Sequence, residues 1–200
     1  MKRLFDFTAA TLGLIVLSPV MALAALLIKI DSSGPVFFNQ ERIGRGFRPF
    51  RIHKFRTMVV NAEQIGAAIT CRNDPRITRI GYWLRKTKID ELPQLVNVLK
   101  GEMSLVGPRP EVPEFVQLFR KDFEVILTAR PGITDLASIT YHDEAALLDE
   151  SRDARNTYVT RILPDKIGLA KEYLHRSSFF FDFALILKTL LRLTARSRSL

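Results

Sequence analysis

Thr8 to Ile28 contains no charged residue, and the basic start Met1-Lys2-Arg3 lies just ahead of it. The run is as long as the ~20 residues a helix needs to cross bilayer hydrocarbon, so it constrains the fold more than any other stretch. Ser18-Pro19 falls near its middle. Proline there removes a backbone hydrogen bond, and the Ser18 hydroxyl can satisfy the freed carbonyl in a kink. Three readings compete: a spanning helix, a secretory signal with Ala22-Leu23-Ala24 as its small-x-small site, and a helix that enters the membrane, breaks and returns. Lys2 and Arg3 flank one end and Lys29, Arg42 and Arg45 follow the other, which disfavours sending either end across. On the residues alone a span and a re-entrant hairpin weigh equally, because proline kinks are tolerated in spanning helices. The signal ranks third, since the apolar run continues through Leu26, Leu27 and Ile28.

The whole chain has 200 residues, 47% hydrophobic and 26% charged, enough for one domain with a full core and too apolar for disorder. Its net charge of +9, from 30 Lys+Arg against 21 Asp+Glu, points to polyanions: nucleic acid, anionic lipid or phosphorylated substrates. The single cysteine, Cys71, excludes an internal disulfide and a thiolate zinc cluster. His53, His142 and His175 are too scattered to pair as metal ligands at helical spacing. There is no internal repeat.

The densest chemistry lies between Arg85 and Pro110, RKTKIDELPQLVNVLKGEMSLVGPRP. Leu92, Leu95, Val96 and Leu99 recur at helical spacing and predict a core-facing stripe. Pro93 fits only near the start of that helix, which puts Asp90 and Glu91 in its first turn. Acids there are common because they complement the helix dipole. This pair, however, has Arg85, Lys86 and Lys88 upstream and Arg109 held between Pro108 and Pro110 downstream. Two carboxylates among fixed cations suit a site that handles a metal and a phosphate.

Val36-Phe37-Phe38 and Phe50 to Phe55 read as paired strands around the turn Gly44-Arg45-Gly46. Arg42, Arg45, Arg48, Arg51, Lys54 and Arg56 cluster here without an acid between Arg42 and Arg56. Most read as a solvated or lipid-facing basic surface; Lys54 and Arg56 are the better candidates for a diphosphate, because their segment leads inward. Arg72 to Arg76 reads as a turn and Ile80 to Leu84 as the start of a helix delivering Arg85. Glu111 to Leu127 predicts one helix with Pro113 in its first turn. Arg130 to Thr134 is a turn into an extended piece, Leu136 to Tyr141. Asp143 to Asp153 is an acidic amphipathic stretch, and Leu163 to His175 another helix. At the end, Lys188, Arg192 and Arg196 recur every four residues beside Phe183, Leu187, Leu190 and Leu191. That pattern suits a helix lying in the lipid interface, and equally a core helix with a basic edge.

Lys54 to Met58 (KFRTM), Lys88 to Pro110 and Arg130 to Thr134 (RPGIT) together resemble the monotopic phosphoglycosyl transferases, a group of bacterial sugar transferases, in their small form. The likeness covers nearly the whole chain, and its central signature is long and specific. The resemblance implies an α+β fold, mainly helical, with a re-entrant helix over residues 1–30 broken at Ser18-Pro19. A cytoplasmic catalytic domain over residues 31–200 would follow, with a small β-hairpin and amphipathic interfacial helices. It implies transfer of a sugar-1-phosphate from a UDP-sugar to undecaprenyl phosphate, releasing UMP, at the cytoplasmic face of the bacterial inner membrane. Asp90 would be the nucleophile, Glu91 the ligand of a required Mg2+, and Arg109 a catalytic cation. Lys54, Arg56, Arg85, Pro108 and Pro110 would bind substrate, with the lipid bilayer as a partner.

The chain departs from the family pattern over residues 135–144, where the usual Gly-Arg and tryptophan are missing, which leaves the sugar or base contact open. Sugar, pathway and homo-oligomer formation are left open too. The rivals are a nucleic-acid binder, for which there is no recognition motif, and a non-catalytic membrane scaffold, against which the intact Asp-Glu pair weighs. If the amino-terminal segment is re-entrant, cysteines placed at Lys2 and Ser33 both label from the cytoplasmic side in intact cells. Labelling from opposite sides would mean a true span.

Overall fold

The computed structural model describes residues 1–66, 69–71, 74–141, 144–149 and 153–197. Arg72, Asn73, His142 and Asp143, named above, lie outside the described residues, as does the side chain of Arg196.

Helix α1 (Lys2–Asp31) carries Pro19 inside it. Pro19 has no N–H for the carbonyl of Ile15, and the Ser18 hydroxyl donates to that oxygen instead, at 2.8 Å. The helix therefore continues past the proline as one element, with Ser18-Pro19 in mid-helix. One stripe of α1, at spacings of three and four, packs on the body: Ala10 and Leu17 in one apolar cluster, Met21, Ala24 and Ile28 in a second. Each end of that stripe makes polar contacts with the same body. Arg3 donates to the last carbonyls of the helix Gln94–Lys100, Val98 O at 2.5 Å and Leu99 O at 2.9 Å. Buried Asp6 accepts from the Ser104 hydroxyl at 2.7 Å, and Asp31 accepts from Ile80 N at 3.1 Å. Opposite this stripe, Leu4, Phe7, Leu12, Ile15, Val16, Val20, Leu23, Leu26 and Ile30 are exposed. By length and composition α1 could cross a membrane.

Strands β1 (Phe37–Ile43) and β2 (Pro49–Phe55) form the expected antiparallel hairpin, with Phe38 opposite Lys54, Gln40 opposite Ile52 and Arg42 opposite Phe50. Directly opposed residues share a face. Phe50 and Ile52 are core residues, so Gln40, Arg42 and Lys54 are carried inward with them. A short α2 (Ala62–Ile65) precedes α3 (Arg79–Thr87), whose start is capped by the Thr78 hydroxyl. Lys88, left-handed at φ 60°, ends α3 and turns the chain into a 3-10 turn, Ile89–Glu91.

Helix α4 (Gln94–Lys100) begins after Pro93 and stops at Gly101, φ 83°. Asp90 and Glu91 thus precede the α-helix in their own tight turn rather than forming its first turn. The apolar stripe also needs correction. The deepest positions are Gln94, Leu95, Asn97 and Val98, with Leu92, Val96 and Leu99 only partly buried. Helix α4 is covered on several sides, and Asn97 is buried because it ties the helix to β2: its amide donates to Arg51 O and its oxygen accepts from His53 N.

The remaining elements are β3 (Ser104–Val106), α5 (Pro113–Leu118), α6 (Arg120–Ile126), β4 (Gly132–Thr134), α7 (Leu136–Thr140), α8 (Glu144–Asp149) and α9 (Ala154–Thr157). A π-helical turn (Tyr158–Ile162), α10 (Leu163–Arg176) and α11 (Phe179–Ser197) follow. The expected single helix over Glu111 to Leu127 is instead two, divided at Phe119 where φ is −115° and ψ 36°. The expected extended piece Leu136 to Tyr141 is helical, because Asp135 and Ser138 form a reciprocal capping box at its start. Strands β3 and β4 pair in parallel, an arrangement absent from the sequence reading. Three residues are too few to show a period of two. On α11 Phe181, Asp182, Leu185 and Ile186 pack on the body, while Phe183, Leu187, Leu190 and Leu191 are exposed.

Where β3 leaves and β4 enters, two glycines cross. Gly107 N donates to Thr134 O at 3.1 Å and Gly132 N to Pro108 O at 3.0 Å. A Cβ on Gly132 would stand 2.1 Å from Gly107 N, and one on Gly107 would stand 2.4 Å from Arg130 O. Both clashes are with backbone, so no side chain can swing away to relieve them. Gly132→Ala should destabilise the chain by more than ~4 kcal/mol, read as a large fall in the thermal unfolding temperature of the purified protein. A wild-type melting curve would mean the two loops can separate.

Candidate active site

Glu91 sits where three distant segments meet. Its Oε1 accepts from Lys54 Nζ of β2 at 3.0 Å and from Arg109 Nη2 of the Gly-Pro-Arg-Pro loop at 2.8 Å. Glu91 and Asp90 are buried, at 9% and 7% exposure. Burial alone would raise the Glu91 carboxyl, but Arg109 and Lys54 outweigh it and hold Glu91 well below the usual carboxylate range. Asp90 moves the opposite way. Burial first, then the charge of Glu91, push it above that range against Lys54, Lys88 and Arg85. Burial also lowers the Lys54 ammonium, with Glu91 opposing. Neighbouring carboxylates are thereby split into a firmly ionised one and a more basic one, the pattern that gives paired acids separate tasks.

Asp90 Oδ1 is a buried oxygen with no hydrogen-bond partner among the described residues. Lys88, two positions earlier, holds a left-handed backbone that costs a non-glycine residue about 1–2 kcal/mol. That strain aims the turn carrying both acids.

Glu91 opens on a cleft of about 1140 Å3 that is also lined by Arg42, Arg85, Lys86, Lys88 and Arg109. One part of its wall is apolar, with Leu92, Leu95, Leu105, Ile133, Ile186 and Leu190; another is polar, with Glu111, Glu144, Tyr158 and Lys166. Such a cleft can take a phosphorylated substrate with both a polar and an apolar portion.

Of the residues singled out from sequence, Asp90, Glu91, Arg109 and Lys54 come together, and Arg85 lines the cleft with Glu91 and Arg109. Pro108 and Pro110 act through their carbonyls, which hold Gly132 N and Arg42 Nη1 at 3.0 Å each. Arg109 N also donates to Asp135 at 3.3 Å, fixing the loop from its other side. Arg56 is not brought to this group. Its guanidinium donates to Ser33 O at 2.6 Å and to Ser32 O and Oγ at 2.8 Å, tying down the end of α1. Arg45, Arg48 and Arg51 are exposed, as a solvated face requires.

The sequence reading left Arg42 among those surface cations, yet it lies half-buried on the cleft wall beside Pro110 and Glu111. Its hairpin register, on the same face as Lys54, was the available signal. Glu111, Tyr158 and Lys166 gave none, being far apart in sequence.

The family described as bacterial sugar transferase matches residues 1–196. The chain belongs to that family. It is 43% identical over 192 residues to the UDP-N-acetylgalactosamine-undecaprenyl-phosphate N-acetylgalactosaminephosphotransferase of Aeromonas hydrophila, covering 94% of this chain and 42% of that protein. The undecaprenyl-phosphate glucose phosphotransferase of Komagataeibacter xylinus is also 43% identical, over 96% of this chain and 35% of its own length. The chain therefore spans less than half of these two relatives. It covers 83% of the exopolysaccharide production protein ExoY of Rhizobium meliloti (strain 1021), at 34% identity over 94% of this chain.

Arg56→Met should cost about 2 kcal/mol through lost charged hydrogen bonds, or ~4–8 °C in Tm for a chain of this size, measured by thermal denaturation. An unchanged Tm would mean the guanidinium does not secure α1.

Proposed function

We propose that this family member is a membrane-surface phosphoglycosyl transferase that moves a sugar-1-phosphate from a UDP-sugar to undecaprenyl phosphate, releasing UMP. This would be the first membrane step in assembling a bacterial glycan. The observation that carries the reading is the buried pair itself: Asp90 with an unpartnered oxygen beside Glu91 clamped by Lys54 and Arg109. The names of the relatives, with their UDP-sugar donors and undecaprenyl phosphate acceptor, supply the substrate classes.

In the first displacement an Asp90 carboxylate oxygen attacks the sugar-bearing phosphorus. The bond from that phosphorus to the bridging oxygen breaks, and UMP departs with the electron pair. In the second, an oxygen of the polyprenyl phosphate attacks the same phosphorus, the acyl phosphate bond breaks and the carboxylate is restored. Splitting the transfer keeps two bulky anions from having to meet directly. Asp90's raised basicity favours its attack, while Arg109 and Lys54 lie within reach of the charge that develops on the diphosphate. Arg85 and Lys88, on the cleft wall, attract the donor.

The oxygen donors suit Mg2+, which takes one or two carboxylates and completes its shell with phosphate and water. Among the described residues no group of three or more His, Cys, Asp or Glu is gathered, so a site of few protein ligands is the kind available. Glu91 would hold the ion through Oε2, since both of its hydrogen bonds fall on Oε1. When bound, the metal would offset charge on the donor's diphosphate.

The apolar outer face of α1 supports a lipid-embedded helix. It adjoins the aromatic start of α11, where Phe5 and Phe179 meet edge to face with centroids 5.3 Å apart. Anchoring of both ends of α1 on one body supports the re-entrant reading and a catalytic domain on the cytoplasmic face.

Asp90→Asn should abolish UMP release in detergent with Mg2+, UDP-sugars and undecaprenyl phosphate, by on the order of 10³-fold or more. Labelled donor without acceptor should leave a phosphosugar on Asp90 in the wild type. Full turnover by Asp90→Asn would overturn the covalent route.

A further inference from the structure

The polar wall of the cleft contains a connected set of buried charges that the two-step transfer does not use. Tyr158 donates to Glu111 Oε1 at 2.8 Å, and Lys166 Nζ donates to the Tyr158 oxygen at 3.3 Å. Lys166 also pairs with Glu144 at 2.7 Å, and Glu111 faces Arg42 at 3.8 Å. Tyr158, Lys166 and Glu111 are each less than a tenth exposed, and all five side chains line the cleft. Such a network is costly to bury and contributes little net stability over apolar packing. Two further observations point to a ligand. Arg42 Nε is a buried donor with no acceptor among the described residues. Tyr158 opens the π-helical turn Tyr158–Ile162, a distortion frequent at functional sites.

The connectivity of the donor decides which portion of it this wall meets. In a UDP-sugar the sugar is joined through its anomeric oxygen to the attacked phosphorus, whereas the base lies beyond a second phosphate and a ribose. The wall is correspondingly close to Arg109, which the transferase reading assigns to the diphosphate: Glu111 is two residues from it, and Arg42 holds the carbonyl of the intervening Pro110. Carboxylates accept from sugar hydroxyls, and guanidinium and ammonium groups donate to them. Burial, with Glu111 second, pushes the Tyr158 hydroxyl well above its ordinary range, so it stays protonated and can both donate and accept.

We propose that Arg42, Glu111, Tyr158 and Lys166, with Glu144 behind them, form the subsite that reads the hydroxyl pattern of the donor's sugar and so selects the UDP-sugar. This rests on the transferase reading above.

The test measures UMP release by the full chain in detergent, with Mg2+ and saturating undecaprenyl phosphate. The donors are UDP-glucose, UDP-galactose, UDP-N-acetylglucosamine and UDP-N-acetylgalactosamine. The quantity read is the ratio of kcat/KM between the best donor and its C4 epimer. Tyr158→Phe keeps the ring that packs on Phe115, and Glu111→Gln keeps the side-chain size, so each serves if the other fails to fold. A site built around hydrogen bonds to hydroxyls discriminates strongly; removing one partner should lower the ratio about tenfold, while the KM for undecaprenyl phosphate stays at the wild-type value. A folded variant with an unchanged ratio, or with an equal loss on every donor, would overturn the inference and leave the transferase reading intact. A wild-type chain that releases UMP from none of the donors would overturn both.

Discussion

Glu91 is the joint of this molecule. Its carboxylate stays ionised despite its burial because Lys54 arrives from the hairpin and Arg109 from the Gly-Pro-Arg-Pro loop. Removing one partner from such a group leaves a buried unpaired charge and typically costs 3–5 kcal/mol. The hairpin, the 3-10 turn and the loop must therefore be placed together or not at all. An apolar core could hold these segments more cheaply, so their retention as charges is better explained by chemistry than by stability. On the transferase reading, that chemistry is the handling of a diphosphate.

Much of the scaffold can be understood as delivery to this joint. The hairpin register turns Lys54 and Arg42 inward together. The Gly107–Gly132 crossing brings two loops within backbone contact, fixing the base of the loop that carries Arg109. Asp135 caps α7 and at the same time accepts from Arg109 N. Lys88 accepts a left-handed backbone so that α3 can end and the turn carrying both acids can begin. Each of these local costs is offset by a contact that positions the site.

Helix α1 joins the active region to the apolar surface. Asp6 holds β3 through Ser104, Arg3 neutralises the carbonyl end of α4, and Lys2 reaches Val106 O, Tyr173 and Asp182. The helix that supplies the exposed apolar face is thus also packed against the strand leading into Gly107 and the helix following Glu91. A lipid-linked acceptor would meet its reaction centre without leaving that surface, and the mixed apolar and polar walls of the cleft accord with such a pairing of substrates.

The sequence by itself determined the elements whose signals are local: the long apolar helix with its Ser-Pro step, the basic hairpin, the helix from Leu163, and the Asp-Glu pair among cations. It also carried the motifs that mark the family. The capping box at Asp135 and Ser138, which makes residues 136–140 helical where the sequence reads as extended, emerged only from the structure. Only the tertiary structure decided what depends on distant residues meeting. It separated Lys54 from Arg56, two positions apart, sending one to Glu91 and the other to the end of α1. It paired β3 with β4, gathered Arg42, Glu111, Tyr158 and Lys166 on one wall, and split the carboxyls of Asp90 and Glu91 in opposite directions. Periodicity and capping act over a few residues along the chain, whereas burial and charge pairing depend on distance in space, which the order of residues does not state.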